Sequence, residues 1–152
     1  MTVTIEKARP EHLEQLIAVI NGGAVGARLG KESSDIEVYR RAFLEILEAP
    51  EVDIYVALDS AGDVIATYQI QFLKGLSYQG RVRAELESVH TRADMRGKGI
   101  GAQMMAHAEA LARAADACMV QLTSNREREG AHRFYARLGF AQSHLGFKKM
   151  LV

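Results

Sequence analysis

The sequence predicts an α/β (α+β) domain built on a mixed sheet, and three observations point to it. Short runs with period-two apolar alternation recur between segments whose apolar residues repeat every three or four positions. Glycine, proline and aspartate mark the boundaries between the two kinds of segment. The resulting order is β-α-α-β-β-β-α-β-α-β, with no internal repeat, linker or low-complexity stretch, which is the expectation for one domain spanning 1-152.

Thr2 to Ala8 alternates like a short strand, and Pro10 then precedes a helical pattern with Leu13, Leu16, Ile17 and Ile20 on one face, ending at Asn21-Gly22-Gly23. A second amphipathic helix begins near Asp35, turns Ile36, Tyr39, Phe43, Ile46 and Leu47 inward, and stops before Pro50. Ile54 to Leu58 and Val64 to Phe72 read as antiparallel strands around the turn Asp59-Ser60-Ala61-Gly62-Asp63. A loop through Gly75 and Gly80 leads into a strand from Arg81 to Thr91. A glycine-rich segment follows, then a helix marked by Ile100, Met104, Ala108, Leu111 and Ala115. Met119 to Thr123 is a further strand, Ala131 to Leu138 a short helix closed by Gly139, and Phe140 to Leu151 has the pattern for one or two final strands.

Composition narrows the function classes. A chain of 152 residues, 48% hydrophobic and 25% charged, is long enough to bury a core without disulfides or structural metal. Lys and Arg total 19, as do Asp and Glu, so the basic excess with which nucleic-acid binders displace counterions is missing. Cys118 is the single cysteine, which rules out an internal disulfide framework and a cysteine-based zinc site. No stretch reaches membrane-spanning length and Met1 to Glu6 does not begin a secretory signal, so a cytoplasmic location is expected, with no membrane partner.

The segment Arg96-Gly97-Lys98-Gly99-Ile100-Gly101-Ala102 lies between a strand pattern and a helix pattern, a design for holding an anion. Its glycines let backbone approach a ligand, and the first N–H groups of the helix point outward with the positive end of its dipole. A P-loop would need Gly, four residues, then Gly-Lys-Ser/Thr, but position 92 is Arg and Gly99 follows Lys98. Gly97 to Ala102 matches the dinucleotide pattern G-x-G-x-x-A, with Asp116 downstream. That fold, however, needs further βα units, and only about a third of the chain remains.

Val89 to Gly101 as a whole resembles motif A of the GCN5-related N-acetyltransferase (GNAT) family, whose core R/Q-x-x-G-x-G/A is met by Arg96, Gly99 and Gly101. Downstream, Ala131-His132-Arg133-Phe134-Tyr135-Ala136-Arg137-Leu138-Gly139-Phe140 looks like the family's motif B. The resemblance implies a GNAT-like mixed, mostly antiparallel central sheet flanked by about four helices, with splayed parallel strands forming the cofactor cleft. It also implies an acetyl-CoA-dependent N-acetyltransferase, an acyltransferase that moves the acetyl group directly to a primary amine of a small molecule or peptide.

On that resemblance the cofactor-binding candidates are Val89, Thr91, Arg96, Gly97, Lys98, Gly99, Ile100, Gly101, Ala102 and Asn125. Backbone N–H groups from Arg96 to Ala102 would hold the pyrophosphate of acetyl-CoA, and the Val89 N–H would donate to the thioester carbonyl. Arg126, Arg128 and Arg133 lie where they could approach the adenosine end. The alternative reading of these arginines, as of Arg96 and Lys98, is solvated surface charge. Extra residues, Arg126 to Gly130, separate Asn125 from Tyr135, a departure from the family pattern.

The chemistry needs an unprotonated amine and a neutralised thiolate. Glu87 is the expected base and Tyr135 the expected acid to the leaving thiolate, with Glu85 and Tyr78 as substrate residues. A glutamate of pKa about 4.3 facing an amine near 10.4 requires burial or a water relay, or else it serves to bind the cation. A period-two strand puts Glu85, Glu87 and Val89 on one face and His90 on the other, unless a bulge intervenes. The structural alternatives are pairing of Glu85 and Glu87 with Arg81 and Arg83, and a core role for Tyr135 in the stripe Phe134, Tyr135, Leu138. The acceptor face also contains Asp35, Glu37 and Tyr39, each able to meet a cationic amine or to lie on an exposed helix.

His12, His90, His107, His132 and His144 have no compact ligand spacing, so no metal is expected. Cys118 reads as a small buried residue and not a nucleophile. A homodimer through an exposed side of the sheet or the last strand fits the pattern. The rival functional class is a catalytically silent CoA-binding regulatory or interaction module with the same fold.

Overall fold

The computed structural model describes residues 1–152 and arranges five strands in one sheet of order β1-β2-β3-β4-β5. The strands are Thr4–Lys7 (β1), Val52–Leu58 (β2), Val64–Leu73 (β3), Arg83–Thr91 (β4) and Val120–Leu122 (β5). Neighbours pair antiparallel except β4 and β5, which are parallel. A parallel pair needs a long crossover, and the helix Ile100–Ala114 (α3) supplies it. The other helices are Leu13–Gly22 (α1), Glu37–Glu48 (α2) and Glu129–Arg137 (α4).

Two apolar layers cover the sheet. On one face Tyr68, Ile70 and Leu86 pack with Ile100, Met104, Met105 and Ala108 of α3. On the other, Ile54, Val56 and Val64 meet Leu13, Leu16 and Ile17 of α1 and Phe43 of α2. These are the helix stripes expected from the sequence, because burying one apolar face is the main source of helix stability in a short segment. Cys118 is half-buried and free. No helix is long and apolar enough to cross a membrane.

Two departures from the sequence expectation matter. The first is a bulge in β4. Gln69 pairs with Glu87 and Thr67 with His90, so Ser88 and Val89 together face Tyr68. Ser88 takes a left-handed conformation with φ 50° to admit the extra residue. The period-two reading of Glu85, Glu87 and Val89 is therefore wrong: Val89 packs with the α3 layer while His90 turns to the face of Glu87.

The second concerns the C-terminus. The strands expected between Phe140 and Leu151 do not form, and the segment is extended without a ladder. Its last backbone hydrogen bond is Phe140 N–H to the Tyr135 carbonyl at 3.1 Å. Strand propensity reflects fit to a neighbouring strand, and within this chain no strand stands beside the segment.

Candidate active site

The sheet opens between β4 and β5. Their parallel pairing covers only Ala84, Glu85 and Leu86 against Val120, Gln121 and Leu122, while β4 continues to Thr91 with no partner on that side. At the mouth of this gap the chain turns through Gly97 (φ 73°) and Gly99 (φ 78°), and Gly99 is the N-cap of α3. Left-handed backbone suits glycine, and a Cβ at either position would meet no atom within 4 Å, so the turn faces open space. No side chain caps α3, leaving its first N–H groups and dipole directed at that space. Ile100 is buried in the core, so only its backbone faces the turn. A Cβ on Gly101 would lie 3.2 Å from the Phe134 ring, and the missing side chain there lets α3 and α4 approach.

Arg96 donates from Nε to the Thr91 carbonyl at 3.3 Å, closing the turn back onto β4. Lys98 lies on the exposed outside with Nζ 4.0 Å from the Met95 sulfur. Thr91 itself pairs with Ala66 at the end of the β3–β4 ladder.

On the α1 side of the sheet lies a polar floor. Gln71 and Gln69 stand opposite Glu85 and Glu87, and Gln121 of β5 donates to Glu85 Oε2 at 2.7 Å. The expected pairing of Glu85 and Glu87 with Arg81 and Arg83 is absent: Arg81 bonds Asp116 at 3.1 Å instead. Parallel registry puts Gln121 beside Glu85, and the neutral amide occupies that carboxylate. Glu87 is exposed, with no ion pair in the chain.

His90 extends this floor beneath α1. It is 5% exposed, and a Cβ on Gly23 would strike its ring, so Gly23 makes room for it. Arg28, from a 3-10 turn at Gly26–Arg28, places Nη1 3.5 Å from His90 Nε2 while its Nε binds Glu32 at 3.0 Å. Burial first, then the charges of Arg128, Arg28 and Arg96, push the His90 pKa from 6.5 to about 4. The ring is neutral at pH 7. Arg96 and Arg128 have no carboxylate partner, so unbalanced positive charge collects round it.

On α4, Tyr135 packs edge-on against Phe140, with centroids 5.6 Å apart, and is tilted against Phe134 at 5.2 Å. Burial raises its phenol pKa and the nearby Arg128 opposes the shift. Its hydroxyl has no hydrogen-bond partner in the chain, unlike those of Tyr39 and Tyr68. Asn125 is committed locally: Oδ1 accepts the Glu127 N–H at 2.9 Å and Nδ2 lies against Gly26. Beside it the buried Ser124 Oγ has no partner.

Glu85, Glu87 and His90 are thus gathered on one face, and Val89 to Ala102 lines the mouth of the gap. Tyr78 is not brought to this group. It sits 57% exposed at the tip of the β3–β4 connection, in left-handed backbone with φ 58°. Asp35, Glu37 and Tyr39 serve the α1–α2 connection and the start of α2, Asp35 Oδ1 accepting the Glu37 N–H and Tyr39 donating to Glu32. His90, Arg28 and Arg128 are the residues that sequence reasoning did not bring into the site. The signal available for His90 was the bulge, and Ser88 carries no local mark of one. No group of three or more His, Cys, Asp or Glu is placed to hold a metal ion.

Comparison with known proteins gives concordant matches. The model of the acetyltransferase (GNAT) family matches residues 11–140. An aminoalkylphosphonate N-acetyltransferase of Salmonella typhimurium is 34% identical over 128 residues, covering 84% of this chain and 82% of that protein. A crystal structure described as a transcriptional regulator from Bacillus halodurans superposes with a TM-score of 0.92 at 33% identity, covering 99% of this chain and 100% of the other. Glucosamine-6-phosphate N-acetyltransferase from Arabidopsis thaliana shares the fold, with a TM-score of 0.82 at 19% identity over the full length of both chains.

Proposed function

Because this chain belongs to the acetyltransferase (GNAT) family, we propose that it moves the acetyl group of acetyl-CoA directly to the primary amine of a small molecule that also carries an anionic group. The observation that carries the cofactor half is the opening of the sheet at Leu86, with the glycine turn and the uncapped α3 at its mouth. An extended pantetheine arm fits beside β4, whose backbone groups on that edge have no strand partner beyond Leu86. The pyrophosphate fits the N–H groups from Arg96 to Ala102 in the space that a Cβ at Gly97 or Gly99 would enter. Acetyl-CoA supplies the activated acyl group as a thioester.

The chain's own residues then have separable tasks. Glu87 holds the ammonium of the acceptor and takes its proton, directly or through a water. Val89 N–H stabilises charge on the acyl oxygen. Tyr135 Oη, free of any partner in the chain, delivers a proton to the departing sulfur. Asn125, already bonded within its turn, contacts the cofactor arm only through the remaining capacity of its amide.

The anionic half of the proposal rests on the cations round His90. Arg128 has no ion pair, and its charge acts on both His90 and Tyr135, so it lies between the floor and α4. An acid group on the acceptor would balance that charge, in keeping with the aminoalkylphosphonate acceptor in the name of the Salmonella relative. The reading takes a reducing cytoplasm as its compartment, where Cys118 stays a thiol.

The test is calorimetric titration with acetyl-CoA, CoA and NAD, followed by thiol release on aminoalkylphosphonates, amino acids and neutral amines. Selective acetyl-CoA binding with turnover fastest on acidic amines is expected. Binding without turnover on any amine would favour a silent CoA-binding module, and a preference for neutral amines would remove the anionic half.

A further inference from the structure

The burial of this chain is lopsided. Ala112 is the last buried residue, and positions 113–152 contribute none. That stretch is not polar: Met119, Val120, Leu122, Phe134, Tyr135 and Phe140 are only half-buried. Beyond them Leu145, Phe147, Leu151 and Val152 are 82%, 91%, 87% and 97% exposed. Exposed apolar residues scattered singly are ordinary, but four large ones on eight consecutive positions of extended chain are not.

Two unsatisfied features face each other in kind. Residues 141–152 have strand-forming sequence and no sheet to join. β5 has a sheet position and no strand on its outer edge, since β4 occupies only the other side. An open edge presents unpaired N–H and C=O groups and acts as a template for another strand.

We propose that a second copy of this chain completes the fold, each copy laying its C-terminal arm, residues 141–152, along the open β5 edge and α4 flank of the other. Donor and acceptor are on the same polypeptide, so one two-fold operation satisfies both edges and closes the assembly. At about 3.3 Å per residue the arm spans roughly 40 Å, enough to cross a neighbouring domain of this size. An extended chain exposes roughly 1.45 Å² per dalton, so twelve residues offer on the order of 1,900 Å². Stable interfaces bury about 800 Å² per partner, and less than half of the arm's surface would suffice. Because Phe140, at the root of the arm, packs on Tyr135, the exchange also fixes one side of the candidate acid. The inference rests on burial and topology and is independent of the reaction proposed above.

Analytical ultracentrifugation of the full chain at micromolar concentration tests it. A mass twice the 16.7 kDa of the chain is expected, and a chain ending at Ala141 should sediment as a monomer. Since truncation alone could unfold α4, the full-length double variant Leu145→Asp, Phe147→Asp provides the second arm of the test. It should be monomeric with unchanged helical circular dichroism. A monomeric wild-type chain, or a dimer that survives both changes, overturns the proposal.

Discussion

Glu87 and His90, three positions apart on one strand, project from the same face of the sheet, because Ser88 and Val89 together occupy one position opposite Tyr68. In a regular strand an odd spacing puts two side chains on opposite faces. The bulge makes one continuous floor of Glu85, Glu87 and His90 while turning Val89 toward α3.

The bulge is therefore a testable device. Ser88→Val places a β-branched residue at φ 50° and should cost about 1–2 kcal/mol of stability, read by chemical denaturation. Ser88→Gly relieves the same strain and should be at least as stable as the wild type with activity kept. Loss of activity in the glycine variant would show that the Ser88 side chain has a role beyond its backbone.

Glu87→Gln removes the proton acceptor but keeps the shape. Turnover should fall about a hundredfold, most strongly below the pKa of the acceptor amine, and converge with the wild type as pH approaches that value. An unchanged pH–rate profile would make Glu87 a residue that only binds the cation.

Tyr135→Phe keeps the contacts with Phe134 and Phe140 and deletes only the unpartnered hydroxyl. Turnover should drop ten- to a hundredfold while acetyl-CoA affinity, measured by titration, changes by less than about twofold. Equal turnover would exclude Tyr135 as an essential acid.

Arg128→Gln separates the two halves of the acceptor. KM for an acidic amine should rise about tenfold or more, and KM for a neutral amine should stay level, since a charge-assisted contact is worth about 1.5–3 kcal/mol. A uniform change in both would place Arg128 on the cofactor.

His90 predicts a stability profile. Its native pKa, about 4, lies below the ordinary 6.5, so in acid the unfolded state takes up the proton first. The stabilising contribution is complete above about pH 6.5 and is lost as pH falls toward 4, amounting to about 3 kcal/mol at most. Denaturation midpoints between pH 7 and 4 should fall more steeply for the wild type than for His90→Gln. Parallel profiles would show that other groups govern acid stability.

Much of this was legible in the chain. The stripes Leu13, Leu16, Ile17 and Met104, Ala108 pack against the sheet as their spacing required. The glycine turn from Gly97 to Gly101 lies at the start of α3 as its composition required, since left-handed backbone and an open helix terminus are local properties. Resemblance to the two family motifs added Tyr135 and the β4 edge, which spacing alone would have assigned to core and strand.

What local pattern could not contain is anything set by a partner strand or by residues distant in sequence. Registry against β3 decides that Ser88 bulges, and with it the faces of Val89 and His90. Packing decides that Arg28 and Arg128, a hundred positions apart, act on one imidazole. Pairing decides that Glu85 meets Gln121 and not an arginine, and that Phe140 to Val152 gains no strand within its own chain. The sequence by itself determined the elements, their order and the anion-binding turn, because periodicity, glycine conformation and helix termini act over a few residues. Only the tertiary structure decided strand registry, side-chain face and the gathering of charge, because each depends on free energy gained between segments that the chain keeps far apart.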